Sequence, residues 1–448
     1  MSAPSKTKVP TQTTEGNIMS IMRSMNTGAA GLRAHGEAMG TTSDNIANTN
    51  TVGFKRQRAI FQDVLGRSIG GGAQPSAGAG SRVGHIQQMW SQGALLTTDA
   101  PTDLALSGEG FFVVDGNTGG ADGRFFTRAG QFVINNEGML ANPDGLRLQG
   151  YTAGADGTMG GDLGDLTVSG QTLPANPTAS IELAVQLDSE AEVLAVPFDP
   201  TDPSGTSNFS TSMTTYDSLG NAHETSVYYA KTGPQTWDWH AMVDGEEVVG
   251  GVPGVPSEGA NGTITFDATG ALATETPGAS SWDFVDAVAG QAIDFDFGES
   301  IAEGGTGLTG STAFASPTTT TGLFQDGYGS GTVAGISVSG DGTVEGVFSN
   351  GQRRTIAQVA VADFASIDGL ERGGNNLWVE SRDSGQALIA GAGTGGRGSV
   401  VSGALEQSNV DLGQEFVDLI GFQRGFQANS RIITTADEMY GELINLKR

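Results

Sequence analysis

Two apolar stripes with a seven-residue repeat stand at opposite ends of this chain, and everything else has to be fitted around them. The first runs through Ile18, Met25, Leu32, Met39 and Ile46, with Ile21, Met22 and Ala29 beside it. The second runs through Leu405, Leu412, Leu419, Phe426, Ile433 and Tyr440, flanked by Phe416, Phe422, Ala436 and Leu443. A seven-residue apolar repeat is the mark of a helix that buries one seam against another helix. No proline interrupts the second stripe. Ser408 or Asn409 is the expected cap, with Asp411 and Glu415 in the first turns, where the helix dipole favours carboxylates. Gly28, Gly31, Gly36 and Gly40 weaken the first helix by about 1 kcal/mol each relative to alanine, and they permit close backbone approach. Matching stripes at both ends argue that the termini pair with each other and leave apolar surface for neighbours. Two such helices bury little surface alone, so in the free subunit both ends are expected to be largely disordered or only partly helical.

The long middle reads as β structure. Glycine supplies 70 of the 448 residues, without a collagen period, which suits many tight turns between short strands. Phe111–Val114, Arg124–Phe126, Phe132–Ile134 and Leu146–Tyr151 are candidate strands, with turns at Asn117–Gly123, Asn135–Gly138 and Asn142–Gly145. The same style returns near Val344–Phe348, Ile356–Phe364 and Leu377–Ser381. Between these halves lies a second β-rich block. From Tyr151 to Ser330 there are roughly 25 acidic residues and one basic residue, Lys231, which accounts for nearly all of the net charge of −28. The predicted fold is therefore mainly β with terminal α-helices: nested β domains plus a paired, coiled-coil-like helical domain from the two ends. The expected boundaries are a disordered extension at 1–17, a helical domain from 18–66 and 402–448, a Gly-rich linker or extended arm at 67–94, one β domain from 95–165 and 331–401, and an inserted acidic β domain at 166–330.

Chemistry is sparse. There is no cysteine, which removes disulfides, thiolate metal sites and cysteine nucleophiles. His35, His85, His223 and His240 show no ligand spacing. Gly66-Arg67-Ser68-Ile69-Gly70 fits G-x-S-x-G but has no strand before it, so the nucleophile-elbow context fails. No EF-hand loop occurs among the acidic residues. Lys55, Arg56 and Arg58 form a short basic cluster, read as a salt-bridged or exposed helix end. Nucleic-acid binding conflicts with the strong negative charge, and no apolar run approaches the ~18 residues of a membrane span. These observations predict no catalytic residues, no metal, no cofactor, no nucleic-acid partner and no membrane insertion. A secreted β-rich adhesin would fit the middle, but it has no need of matching stripes at both ends.

Four segments, in order, resemble the flagellar rod–hook family. Ser43-Asp44-Asn45-Ile46-Ala47-Asn48-Thr49-Asn50-Thr51-Val52-Gly53-Phe54-Lys55 is similar to its N-terminal motif. Ser107-Gly108-Glu109-Gly110-Phe111-Phe112-Val113-Val114, followed by Phe126-Thr127-Arg128-Ala129-Gly130-Gln131-Phe132, resembles its first β motif. Ser349-Asn350-Gly351, Ala362-Asp363-Phe364 and Gly369-Leu370 match the returning half. Gly403-Ala404-Leu405-Glu406-Gln407-Ser408-Asn409-Val410-Asp411-Leu412 and Gln423-Arg424-Gly425-Phe426-Gln427-Ala428-Asn429 look like its C-terminal motif. The block around Thr214-Thr215-Tyr216-Asp217-Ser218-Leu219-Gly220-Asn221-Ala222-His223 resembles the insert of hook members, which favours the hook over the shorter distal-rod members.

The resemblance implies a non-enzymatic subunit of an extracellular hook on the flagellar basal body. Such a subunit assembles with itself into a flexible tube that carries torque from motor to filament. Its implied partners are further copies of itself, a distal rod protein, a hook cap protein, a hook–filament junction protein and the flagellar type III export apparatus. The assembly residues it implies are Met25, Leu32, Met39, Asn45, Ile46, Asn48, Gly53 and Phe54 at the N-terminal end. At the C-terminal end they are Leu405, Ser408, Asn409, Val410, Leu412, Leu419, Phe426, Ile433 and Tyr440.

Overall fold

The structure is a computed structural model that describes residues 12–65, 78–154 and 157–445, with backbone only for residues 12–18, 65 and 121. Residues 1–11 of the expected extension, the side chain of Ile18 and residues 66–77, with the Gly-rich start of the expected linker and the G-x-S-x-G segment, lie outside the described residues. The chain forms two compact units: Met1–Ser169 with Ile336–Gly346 and Arg354–Arg448, and Gly170–Gly335 with Val347–Arg353. The helical ends and the first β block thus belong to one unit.

Helix α1 spans Gln12–Ala47 and so starts before the expected Ile18. Helix α2 spans Leu412–Asn445. Asp411 caps α2: its Oδ1 accepts hydrogen bonds from the backbone N–H groups of Gly413 (2.8 Å) and Gln414 (3.2 Å). Ser408 and Asn409, the expected caps, lie before the helix, and Leu405 is in the strand Ala404–Glu406 rather than on α2. The helices pack antiparallel, with Gly31 near Asn429 and His35 near Gly425.

The buried seam differs from the expected one. On α2 the inward line is Glu415, Phe422, Asn429, Ala436 and Leu443, with Leu419 and Ile433 partly buried beside it. Leu412, Phe426 and Tyr440 are exposed. On α1 the buried positions are mostly small: Gly28, Gly31, Ala34, Ala38, Thr41, Thr42 and Asn45, with Ile21, whereas Met25, Leu32, Met39 and Ile46 are only half-buried. The cause is steric. A Cβ on Gly31 would stand 2.5 Å from Asn429 Oδ1, and one on Gly28 3.1 Å from Ile433 Cγ1. Backbones that approach this closely admit only small side chains between them, so the larger residues are displaced to the flanks.

The described part of the stretch expected as a linker holds strand β2 (Gly78–Gln88), which pairs antiparallel with β1 (Gln57–Leu65), a strand inside the 18–66 range expected to be helical. Both lie against α1: a Cβ on Gly80 (φ 98°) would reach within 3.0 Å of Ala30 Cβ. His35, Phe61 of β1 and Phe422 of α2 form a ring cluster with centroids 5.4–6.2 Å apart.

The β part of this unit is a sheet assembled from both halves of the chain. The strand Arg353–Asp363 returns to pair with Arg147–Ala153 and with Phe111–Thr118, which pairs onward with Ala121–Thr127 and then Leu377–Val379. Phe111, Phe112, Val113 and Val114 are all buried, as expected of a strand covered on both faces. Phe111 and Val113 face a cluster with Phe126, Phe364 and Trp378, while Phe112 meets Phe132 edge-on at 5.5 Å.

The second unit has two sheets. One is a five-stranded antiparallel meander: Phe209–Tyr216, Ala222–Gly233, Thr236–Asp244, Pro256–Phe266 and Leu272–Ser280. The other is built on Ser180–Asp188, whose inward residues Ile181, Leu183, Val185 and Leu187 alternate with outward ones. They share a core with Trp237, Trp239, Trp282 and Phe297. The strand Thr172–Leu173 pairs with Gly331–Thr332, so the entry and exit of this unit run side by side.

Its Asp217–Asn221 turn is locked by a buried carboxylate. Asp217 Oδ1 accepts from the N–H groups of Leu219 (2.9 Å) and Asn221 (2.8 Å), and Oδ2 accepts from Asn221 Nδ2 (2.8 Å). His223 stacks on Phe284 at 4.0 Å and reaches Glu247 through Nδ1 at 2.8 Å. Burial disfavours the Asp217 carboxylate, but the hydrogen bonds from Asn221, His223 and Leu219 together outweigh it and hold the group below the usual aspartate range.

Two predictions follow from these packings. Gly31→Ala should lower the melting temperature of the helical signal at 222 nm, an overpacking effect of about 1–3 kcal/mol. Gly36→Ala, with nothing within 4 Å of its Cβ, should raise it; equal effects would contradict the glycine-set approach. The second concerns acid. Because the Asp217 pKa is depressed on folding, its stabilisation is complete above the unfolded value of about 3.9 and is lost as pH falls through the lower folded value. Asp217→Asn should therefore be less stable than wild type at neutral pH, and the gap should close in acid, as read by tryptophan-fluorescence melts. A gap independent of pH would refute it.

Candidate functional site

Where the two ends of the chain enter the β sheet, the N-terminal and C-terminal motifs meet in one buried polar junction. α1 ends in side-chain-bonded turns. Asn48 Nδ2 donates to Asp44 O (2.9 Å), Thr49 Oγ1 to Ile46 O (2.8 Å) and Thr51 Oγ1 to Asn48 Oδ1 (3.0 Å). Gly53 then takes φ 70°, and its N–H donates to Glu406 O at 2.8 Å. A Cβ there would stand 2.7 Å from the backbone of Arg128 and Ala129, so the left-handed turn and the close approach both require glycine. Phe54 follows, buried.

Glu406 is the centre. It is 0% exposed, and its carboxylate accepts from Lys55 Nζ (2.6 Å), Arg128 Nη1 (3.3 Å) and the Gly93 N–H (2.8 Å). Lys55 also donates to Ser91 O (2.9 Å) and Arg128 to Gly108 O (2.9 Å). One carboxylate therefore faces two buried cations, and backbone carbonyls accept a further hydrogen bond from each, while Arg128 Nε is buried without a partner. Burial pulls the Lys55 ammonium below the ordinary lysine value, with Glu406 opposing; Arg128 is lowered in the same way.

A second cluster adjoins it. Asn45 makes a two-way clasp with Gln57: Nδ2 donates to Gln57 O (2.8 Å), and Oδ1 accepts from Gln57 N (2.9 Å). The same Nδ2 lies 3.1 Å from Glu415 Oε2, and Glu415 Oε1 is paired with Arg56 Nε. Arg56 Nη2 reaches Asp418 Oδ2 at 3.2 Å. Asn409 closes the circuit. Its Oδ1 accepts from Arg56 N (2.6 Å), and its Nδ2 donates to Met89 O and Ser91 O (both 2.9 Å).

The sequence-predicted residues divide into two groups. Asn45, Asn48, Gly53, Phe54 and Asn409 come together here, with Leu405 buried in the adjoining strand. Ser408 and Val410 lie in the short connection to α2. Met25, Leu32, Met39, Ile46, Leu412, Leu419, Phe426, Ile433 and Tyr440 lie along the helix pair. Lys55 and Arg56 are ion-paired, but not at the expected helix end, since α1 stops at Ala47 and β1 opens at Gln57; Arg58, in β1, is exposed and bonds Gln87 at 2.8 Å. The sequence reading missed Glu406 and Arg128, and it placed Glu415 in the first turn of the helix but not in this junction. Their one signal is a charged residue within an otherwise apolar or turn motif. Among the described residues no group of three or more His, Asp or Glu is arranged to hold a metal ion, and no helix is long and apolar enough to cross a membrane.

These parts match known families. The Flagella basal body rod protein family matches residues 25–55, and the Flagellar hook protein FlgE/F/G D1 domain matches 105–196. The Flagellar basal body protein FlaE D2 domain matches 186–328, and the Flagellar basal body rod FlgEFG protein C-terminal family matches 401–446. Both terminal matches contribute to the polar junction, so the fold is of the class shared by the rod and hook subunits of the flagellum. Flagellar hook protein FlgE of Treponema pallidum (strain Nichols) is 35% identical, over 96% of this chain and 100% of that protein. The protein of the same name from Borreliella burgdorferi is 33% identical over 95% and 100%, and that of Escherichia coli (strain K12) 32% over 93% and 98%. The chain belongs to the flagellar hook protein family.

Removing the central carboxylate tests the junction. Glu406→Gln leaves two buried cations facing a neutral amide, and it should destabilise the first unit by about 3–5 kcal/mol in denaturant titration. A loss below about 1 kcal/mol, the scale of an exposed pair, would show that the junction is solvated.

Proposed function

We propose that this chain is the structural, non-enzymatic subunit of a flagellar hook. It polymerises with itself into a flexible extracellular tube that passes torque from motor to filament. Besides family membership, one observation carries the reading. Helix α2 exposes large apolar side chains at both ends of its length, among them Phe416, Val417, Ile420, Ile432, Met439 and Ile444. Isolated apolar residues on a surface need no explanation, but this many large ones exposed on a single 34-residue helix mark a surface awaiting a neighbour. Burying it between copies gains roughly 25 cal/mol per Å².

In this reading Met25, Leu32, Met39 and Ile46 of α1 and Leu412, Leu419, Phe426, Ile433 and Tyr440 of α2 serve subunit contacts from the flanks of the pair. Asn45, Asn48, Gly53, Phe54, Leu405, Ser408, Asn409 and Val410 fix the angle at which the pair leaves the β sheet. The tube starts on a distal rod protein, grows under a hook cap protein, is finished by a hook–filament junction protein, and is supplied through the flagellar type III export apparatus.

The test is complementation. A deletion strain should be non-motile, with basal bodies that stop at the rod, and the wild-type gene should restore hooks. Ile420→Asp, at a position 50% exposed, should not restore them, because polymerisation would bury an unpaired carboxylate. The purified variant should melt like wild type. Motile deletion cells with normal hooks would refute the function, and hooks built from the variant would refute the role of the α2 face.

A further inference from the structure

Methionine is unevenly exposed in this chain. Away from the helices Met213 and Met242 are buried, and Met89 and Met139 are half-buried. On the helix pair Met19, Met22 and Met439 are 71%, 55% and 55% exposed. All three lie toward one end of the pair. The helices run antiparallel with Gly28 against Ile433, so the start of α1 runs beside the finish of α2. Ile21 and Met439 accordingly line one apolar groove, together with Ile432 and Ala436. A thioether resembles leucine in size and apolarity but differs in one chemical respect: its sulfur can be oxidised.

We infer that Met19, Met22 and Met439 form an oxidation-sensitive modification site that controls whether this end of the helix pair can bind another copy. The inference rests on the self-polymerising reading above and adds chemical control to it. The modifying reagent is a peroxide. One peroxide oxygen passes to the sulfur: an S–O bond forms, the O–O bond breaks, the sulfur is oxidised to the sulfoxide and the peroxide is reduced to water. A flexible apolar side chain thereby becomes a polar, chiral one. Within a copy the change costs little, because these side chains already face water. Between copies it buries a sulfoxide oxygen without a donor. Oxidation therefore acts on association and spares the fold, whose Met213 and Met242 are shielded from the reagent. In the polymer the contact covers the three sulfurs, so the free subunit is the form that is modified. The change is reversible: a methionine sulfoxide reductase removes the oxygen as water while a dithiol is oxidised to the disulfide.

The test treats the full chain with hydrogen peroxide and maps sulfoxides by peptide mass spectrometry. The critical concentration for polymerisation is measured by sedimentation before and after. Met19, Met22 and Met439 should be converted ahead of Met213 and Met242, and the critical concentration should rise about tenfold. Methionine sulfoxide reductases with dithiothreitol should restore it. In the triple variant Met19→Leu, Met22→Leu, Met439→Leu, peroxide should leave the critical concentration at that variant's own starting value. Met159→Leu, which removes an exposed methionine away from the helices, should respond to peroxide like wild type. Oxidised wild type should keep its melting curve. Oxidised wild type polymerising like the untreated chain, or a triple variant as sensitive to peroxide as wild type, would overturn the site while leaving the hook reading intact. A fall in melting temperature on oxidation would do the same, since the effect would then belong to the fold. Untreated wild type that forms no polymer would instead sink self-polymerisation, and this site with it.

Discussion

The buried carboxylate of Glu406 is the interaction on which the rest of the first unit depends. It sits in a short strand just before α2 and binds Lys55, just after α1, and Arg128, in the β sheet. Three chain segments far apart in sequence are thereby fixed to one point. Charges are costly to bury, and such a cluster is sound only when every donor and acceptor is used. Here the Gly93 N–H and the Ser91 and Gly108 carbonyls complete most of it. The gain is geometric. An apolar contact tolerates sliding, whereas a carboxylate held by three directional partners does not, so the direction in which the helix pair departs is set by chemistry rather than by packing alone.

That fixed direction gives the small-residue seam its meaning. With one end clamped by Asn45, Arg56 and Glu415, the helices run back along each other closely enough for Gly28 and Gly31 to meet Ile433 and Asn429. Close approach excludes large side chains from the middle of the seam. Phe416, Ile420 and Met439 are consequently turned outward. Exposed apolar surface here is a result of how the pair is packed, and the same glycines that weaken α1 as an isolated helix help to set it.

The sequence was most legible where a signal is local. Phe111–Val114 reads as a strand because four apolar residues are bounded by Gly110 and a turn, and the structure has it buried on both faces. The heptad stripes revealed the two helices and their pairing but misplaced the buried line, because that line is chosen by glycines and by Asn429, which carry no hydrophobic signal. Leu405 kept the seven-residue register yet lies in a strand, since Asp411 caps the N-terminus of α2 and the helix begins only after it. Glu406 was invisible for a different reason. Its partner Lys55 is 351 positions away, and nothing in either neighbourhood announces the other. Local motifs expose elements, whereas buried ion pairs between distant segments emerge only when the chain is folded.

A tube that bends as it turns needs stiff joints within each subunit and yielding ones between subunits, and this chain separates the two by charge. Within the first unit, opposite charges are buried, where low polarisability makes them strong and directional. On the second unit the charges are of one sign and mostly solvated, and their repulsion fades within about 8 Å at physiological salt. Surfaces of that kind resist collapse onto one another without locking at any one distance. The two kinds of charge therefore do opposite work: buried and paired they fix one geometry, whereas exposed and alike they fix none.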